Sequence, residues 1–424
     1  MLKFRGGVHP KQYKLTASKP IEKAKLPEKV VIPLRQHIGA PCDPLIKVGD
    51  EVKVGQKIGD SSAKVSAPVH ASVSGTVEKI SSELSPSGEF VTCVTIRSDG
   101  RDEWVELPPL DEDSPKQILL ERIREAGIVG MGGAGFPTHI KLNPPKPVHT
   151  LIVNGVECEP YITSDHRLML EYSQEIAEGI KIVAKILGVQ NVIVAIEDNK
   201  PDAVKKMEEA TKGFAEIVVL KTRYPRGDER HLIKSVLGVE VPAGGLPFDV
   251  GVVVQNVATL KAIHDAVRGK PLVERVVTVT GDVAEPKNLM TRVGTLFSDL
   301  LQQCGGPTKG PAKLIAGGPM MGVALSADAP VAKTTGCVLV MGEVKEEEES
   351  PCIRCGRCVE VCPMGLMPTI LAKLVRAEKY EDALAGNILS CDECGCCAYI
   401  CPSRIPLVHI MRTGKIKSSA LMKR

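Results

Sequence analysis

Eight cysteines in two identical spacings offer the most specific chemistry in this chain. Cys352, Cys355, Cys358 and Cys362 follow C-x2-C-x2-C-x3-C with Pro363 next, and Cys391, Cys394, Cys397 and Cys401 repeat it with Pro402 next. Three thiolates at three-residue intervals in a loop can point inward at one iron–sulfur cubane, while the fourth, past the turn, points the other way and ligates a second. The pattern predicts two [4Fe–4S] clusters with crossed ligation: Cys352, Cys355, Cys358 and Cys401 on one, Cys391, Cys394, Cys397 and Cys362 on the other. Zinc is the rival, but structural zinc sites use paired-cysteine knuckles or Cys/His mixtures, not a triplet with a trailing Cys-Pro, and not twice. Ile353, Val359, Val361, Ile400 and the turn at 364–367 supply apolar neighbours that can keep water off the sulfurs and tune potential. Arg354, Arg357 and Lys373 could steer an acidic electron partner, and a solvated face accounts for them equally well.

Clusters need a source of electrons. Residues 127–138, GIVGMGGAGFPT, are denser in glycine than a surface turn requires. Such a loop lets backbone approach a phosphate or ring and aim amide N–H groups at anionic oxygens. It lacks Gly-Lys-Ser/Thr, so it is not a nucleotide-hydrolysing phosphate loop. Lys141 follows as a candidate phosphate ligand. A strand at 151–153 then runs into Asn154-Gly155-Val156-Glu157-Cys158-Glu159-Pro160, which puts polar groups at a carboxyl end, where α/β sheets bind ligands. "YPRGDERHLIK" and "VVVQNVATLKAI" repeat the arrangement of strand or turn, polar residues, then helix.

The elements that must position these groups follow from patterning. A length of 424 residues predicts two to four domains, and a hydrophobic share of 43% is enough for real cores. The formal charge of +3 and aromatic share of 3% leave no nucleic-acid footprint. Nine of the fourteen cysteines lie between Cys352 and Cys401, which is metal-site clustering rather than a disulfide framework and fits a reducing, cytosolic compartment. The N-terminus lacks the apolar core of a signal peptide, and no window approaches the ~18 apolar residues of a membrane span. A cytosolic protein, or one held at a membrane by partners, is expected.

Residues 1–29 read as a polar arm, poorly structured or wrapping. Residues 30–100 alternate short strands with glycine turns and predict a small all-β barrel or sandwich. From 115 to 270 apolar strands at 151–154, 192–195, 217–220 and 250–254 alternate with helices at 168–187 and 201–212, which argues an α/β sheet domain. Residues 271–342 carry a hairpin signal, ERVVTVTGDVAEPKN, and a short helix at 296–303. An acidic linker at 343–350 precedes the cysteine domain at 351–410, with one helix expected over 368–385, and a basic tail occupies 411–424. Cys42, Cys93, Cys158, Cys304, Cys337 and Cys396 are isolated or surplus, mostly buried small hydrophobes.

Several segments resemble known families. "KVGDEVKVGQKIG" and "SAPVHASVSGTV" resemble the lipoyl-type barrel-sandwich hybrid, although Lys64, between Ala63 and Val65, does not match a swinging-arm lysine, so a structural or docking module is expected. Residues 272–316 resemble the β-grasp SLBB domain, favoured here as a bridge. "GMGGAGFPTHIK", "NGVECEP", "YPRGDE" and "QNVAT" resemble, in order, the flavin- and NADH-binding segments of the NADH-oxidising subunit of complex I. In domain order and nearly full length the chain resembles the RnfC family of the Rnf electron-transport complex.

That resemblance implies a multidomain α/β fold: barrel-sandwich hybrid, complex-I-type FMN/NADH domain, SLBB β-grasp domain and an α-helical two-cluster ferredoxin-like domain. It implies FMN held by Gly130, Gly132 and Lys141 and completed by Asn154, Glu157, Gly227, Asn256 and Thr259. NAD(H) would face Gly133, Phe136, Glu157 and Glu229. Met131, Val156 and Asp228 stand where complex I has arginine, aspartate and glutamate. The implied function is a peripheral subunit, on the cytoplasmic side of the cell membrane, of a complex in which ferredoxin and NAD exchange electrons and Na⁺ or H⁺ is pumped. Its partners would be the other Rnf subunits, including a ferredoxin-like one. Two rivals are a cobalamin reductase with the same cofactors and a different acceptor, and a ferredoxin-like docking module with a vestigial flavin site.

Overall fold

The computed structural model describes residues 4–310, 313–342 and 348–422; most of the acidic linker (343–347) therefore lies outside the described residues. Two small antiparallel sheets come first. One is ordered Lys29–Pro33, Phe90–Ser98, Gly75–Leu84, Glu51–Val52, and the other Asp43–Pro44, Lys57–Asp60, Val69–His70. Val30, Ile32, Ile58, Val77, Val94 and Ile96 share one core between them. Alternate strand residues point inward, as a two-residue period requires.

The next unit is a four-stranded, all-parallel sheet ordered Glu216–Leu220, Asn191–Glu197, Thr150–Gly155, Val252–Asn256. Its strands serve two faces. Leu151, Val153, Val194, Ile196 and Val253 join a core with the helices Lys116–Glu125, Ser173–Leu187 and Val257–Val267, whereas Ile152, Ala195, Val252 and Val254 meet Leu232 and Ile233 of Glu229–Leu237. Burial on both faces explains why the three inner and returning strands read as continuous apolar runs, while the edge strand Glu216–Leu220 stays partly exposed. The chain winds outward from Thr150–Gly155 in one direction and returns to its other side with Val252–Asn256, so a topological switch point lies between them. Asn154 and Asn256 pair in register there.

The single helix expected over 168–187 is two, Ser164–Glu171 and Ser173–Leu187, broken at Tyr172. The first packs mainly on Pro201–Ala210 and the second mainly on Val257–Val267. The helix expected over 368–385 is likewise divided into Pro368–Arg376 and Tyr380–Ala385, with Glu378 in the left-handed region (φ 56°) between them.

A six-stranded mixed sheet follows, built on the hairpin Glu274–Gly281 and Lys287–Arg292, with Phe297–Gln303 as its helix. The N-terminal arm is a wrapping segment. Ile21–Lys23 adds a parallel edge strand to Lys287–Arg292, and the Lys14 ammonium donates to the Glu157, Glu159 and Ile162 carbonyls at 2.7–3.0 Å. The basic tail is not a separate appendage either. A single helix, Leu407–Leu421, runs through it and buries Met411, Gly414 and Ser418 against the cysteine domain.

Candidate functional site

The glycine loop lies against the switch point. Gly130 N–H donates to the Phe136 carbonyl at 2.9 Å, closing the loop on itself. Met131 N–H donates to Thr259 Oγ1 at 2.9 Å, which ties the loop to the start of Val257–Val267. A Cβ on Gly132 would stand 2.7 Å from the Asn256 amide nitrogen, so no side chain fits, while at Gly133 nothing lies within 4 Å and at Gly130 nothing nearer than 3.6 Å. Phe136 stands partly exposed beside this open ground. Asn154 Nδ2 donates to the Gly227 carbonyl at 2.8 Å, and Lys141 pairs with Glu229 at 2.5 Å. Asn154 and Asn256 thus end adjacent strands, Glu229 and Thr259 lie in the first turns of the helices Glu229–Leu237 and Val257–Val267, and the glycine loop is tied to Thr259.

The donor set suits a flavin mononucleotide. Unclad backbone at Gly130 and Gly133 can approach a ring or phosphate closely, and a lysine stands ready for an anion. Thr138 Oγ1, at the foot of the loop, and Gln255 Nε2, beside Asn256, are buried with no hydrogen-bond partner among the described residues. Buried polar atoms are rarely left so without a ligand or water to meet them.

Glu157 behaves differently from a free loop carboxylate. It holds a left-handed backbone (φ 44°) at the strand end, and its carboxylate accepts from Asp165 N–H at 2.7 Å and His166 N–H at 3.2 Å. It therefore neutralises the positive end of the helix Ser164–Glu171. Buried Lys200 donates to the Val156 carbonyl at 2.7 Å, so Lys200 and Lys14 together hold the carbonyls of this loop in place.

Sequence reasoning missed two buried charges here. Asp165 accepts from Asn256 Nδ2 at 2.6 Å; burial, and then the charge of Glu157, push its carboxyl up to about 7. Arg275 reaches across from the hairpin and donates to the Met131 carbonyl at 3.3 Å and to the Lys333 carbonyl, and burial pulls its guanidinium down to about 10. The only clue to Asp165 was its place in the first turn after the NGVECEP segment. Arg275, in a run that reads as an ordinary strand, gave none.

The cysteines fall into two cavities. Cys352, Cys355, Cys358 and Cys401 line one of about 240 Å³, open at its rim. Cys362, Cys391, Cys394 and Cys397 line a tighter one, closed in by Met364, Leu366, Val408 and Met411. The two loops are built alike. Arg354 and Gly356 take φ of 57° and 76°, and Glu393 and Gly395 take 56° and 81°. These left-handed residues flank Cys355 and Cys394 and curl each triplet around its own centre. Four cysteines of the repeated spacings line each cavity, the donor set of a [4Fe–4S] cubane, and Cys396 lines the tighter one as a fifth.

The tight site abuts the parallel-sheet domain. Tyr224 OH donates to the Cys394 carbonyl at 2.7 Å, and His231 Nε2 bonds Asp392 at 3.0 Å. The arm completes the seam: Gly7 N–H donates to the Val361 carbonyl, and Val8 and Tyr224 exchange both backbone hydrogen bonds.

A parallel sheet with a glycine cradle at its switch point, joined to two cysteine quartets, defines an electron-transferring iron–sulfur flavoprotein. Family models match in the same order: an RnfC barrel sandwich hybrid domain at 2–101, a Nuo51 FMN-binding domain at 123–265, an SLBB domain at 276–324 and a 4Fe-4S dicluster domain at 351–405. The chain belongs to the RnfC family of ion-translocating oxidoreductase subunits. It is 50% identical over 396 residues to the RnfC subunit of the proton-translocating ferredoxin:NAD(+) oxidoreductase complex of Clostridium ljungdahlii, covering 90% of this chain and 87% of that one. It is 42% identical over 403 residues to the Na(+)-translocating counterpart of Acetobacterium woodii, covering 91% and 90%. Among solved structures, an NAD+-reducing [NiFe]-hydrogenase in the H2-reduced state shares the fold at 20% identity and a TM-score of 0.52, over 72% of this chain and 61% of that one.

Proposed function

We propose that this chain is the peripheral subunit, on the cytoplasmic side of the membrane, through which an ion-translocating ferredoxin:NAD+ oxidoreductase complex exchanges electrons with NAD(H). No described helix is long and apolar enough to cross a membrane, so the other subunits of the complex hold it there. FMN, when bound, would supply the exchange between the paired electrons of a hydride and the single electrons that a cluster can carry. The residues' task is to bind, orient and exclude water, and no general acid or base is needed.

Gly130 and Gly132 would let backbone meet the flavin, Lys141, here paired with Glu229, would hold its phosphate, and Asn154, Glu157, Gly227, Asn256 and Thr259 would complete the cradle. Gly133, Phe136, Glu157 and Glu229 face the dinucleotide. Cys391, Cys394, Cys397 and Cys362 hold the inner cluster next to the flavin domain. Cys352, Cys355, Cys358 and Cys401 hold the outer one, where Cys355 is exposed to a carrier beyond.

The partition of eight cysteines between two cavities, the tighter one against the glycine-loop domain, is the observation that supports this order most directly. Anaerobic purification followed by iron, sulfide and FMN assays tests it. About eight irons and one FMN per chain are expected, with NADH bleaching the flavin and then the cluster absorbance. Zinc in place of iron, or oxidised clusters untouched by NADH, would overturn it.

A further inference from the structure

Tyr224 has the largest fully buried side chain among the described residues, about 1% exposed, yet it ends in a hydroxyl. Burying a phenol without a hydrogen-bond acceptor is destabilising. That acceptor is the carbonyl of Cys394, 170 residues away and the middle thiol of the inner triplet. The tyrosine's own carbonyl receives a weak hydrogen bond from the Cys396 thiol at 4.0 Å. Cys396 belongs to neither quartet and is buried two residues beyond Cys394. Three residues beyond Tyr224, Gly227 donates to Cys158 Sγ at 3.3 Å and accepts from Asn154. Val8, Tyr224 and Cys396 form one dry seam, with Cys158, Met320 and Cys394 packed against it.

We propose that Tyr224, with Cys396, is the coupling residue between the flavin cradle and the inner cluster. It acts as a positioning residue: one side chain and one carbonyl fix Cys394 relative to the turn that carries Gly227, giving a continuous covalent and hydrogen-bonded route between them. This rests on the electron order proposed above. The step it serves moves one electron from the flavin side to the inner cluster. No bond is made or broken, and Tyr224 and Cys396 keep their protons throughout. The Tyr224 hydroxyl aims its proton at the cluster's ligand loop, and positive charge placed there favours the reduced, more negative cluster, while the Cys396 thiol steadies Tyr224 through its carbonyl. Without either group the inner potential falls.

Tyr224→Phe keeps the ring and removes the donor. Full iron and FMN content and wild-type flavin bleaching by NADH are expected in stopped flow, with reduction of the inner cluster slowed about tenfold, the scale of one buried hydrogen bond. An EPR redox titration is expected to place the inner midpoint lower and leave the outer one unchanged. Cys396→Ala is expected to lower the same midpoint and Cys396→Ser, which restores a donor, to return it. Fully loaded Tyr224→Phe with unchanged inner rate and potential, or a shift of equal size at both clusters, would overturn the proposal. Where Tyr224→Phe fails to load, the Cys396 pair decides, since a purely steric role predicts no difference in potential between Ala and Ser. Absence of NADH bleaching in the wild type would defeat the functional reading instead, and dithionite-poised titration would still test the junction.

Discussion

Arg354 and Glu393 occupy the same place in the two cysteine loops, with the same left-handed backbone, and meet opposite surroundings. Arg354 stands exposed beside Ile353, itself 68% exposed, at the mouth of the outer cavity. Glu393 is gripped by Arg412 at 2.8 Å and Lys415 at 2.7 Å, and Lys415 also reaches the Cys391 carbonyl. One position after each glycine the contrast recurs, with Arg357 exposed in one loop and Cys396 buried in the other. A repeated motif thus fixes the grip on a cluster, while the non-cysteine positions decide whether that grip faces the protein or the outside. The difference gives the pair a direction.

The sharpest way to break this comparison is to remove one crossed ligand at a time. Cys401→Ser is expected to abolish the outer EPR signal and Cys362→Ser the inner, each lowering iron from about eight to about four per chain. Loss of the inner signal from Cys401→Ser would show that each motif serves its own cluster. A smaller effect is expected at Gly6, where φ is 68° and a Cβ would lie 2.8 Å from the Cys362 carbonyl. Gly6→Ala should cost about 1–3 kcal/mol, read as a lower Tm and a broadened inner signal beside an unaltered outer one. The smallest effect separates the paired positions. Glu393→Ala should lose about 1 kcal/mol, since its partners are partly solvated, whereas Arg354→Ala should stay within about 0.5 kcal/mol in the same denaturant titration.

What the sequence disclosed follows the range of the interactions. The cysteine spacing, the glycine loop and the apolar strands are local patterns, each written within about a dozen residues, and their geometry follows from chirality, sterics and burial. The breaks at Tyr172 and Glu378 were invisible because periodicity continues across them and only tertiary packing interrupts it. Arg412 and Lys415 read as part of a basic run, since nothing nearby announced that their counter-charge lay at Glu393. Tyr224 and Arg275 were hidden for the same reason: a buried polar residue is identified by a partner, and theirs lie 58 to 170 positions away.

Lys14 donates to three carbonyls that are 143 to 148 positions later in the chain, and Gly7 to one at 361. The arm is therefore synthesised early and seated late, because none of its acceptors exists until the sheet domain and then the cysteine domain have folded. Contacts of such separation form slowly. Until the arm settles, the seam between cradle and inner loop lacks the Gly7 and Val8 hydrogen bonds that fasten its two sides together.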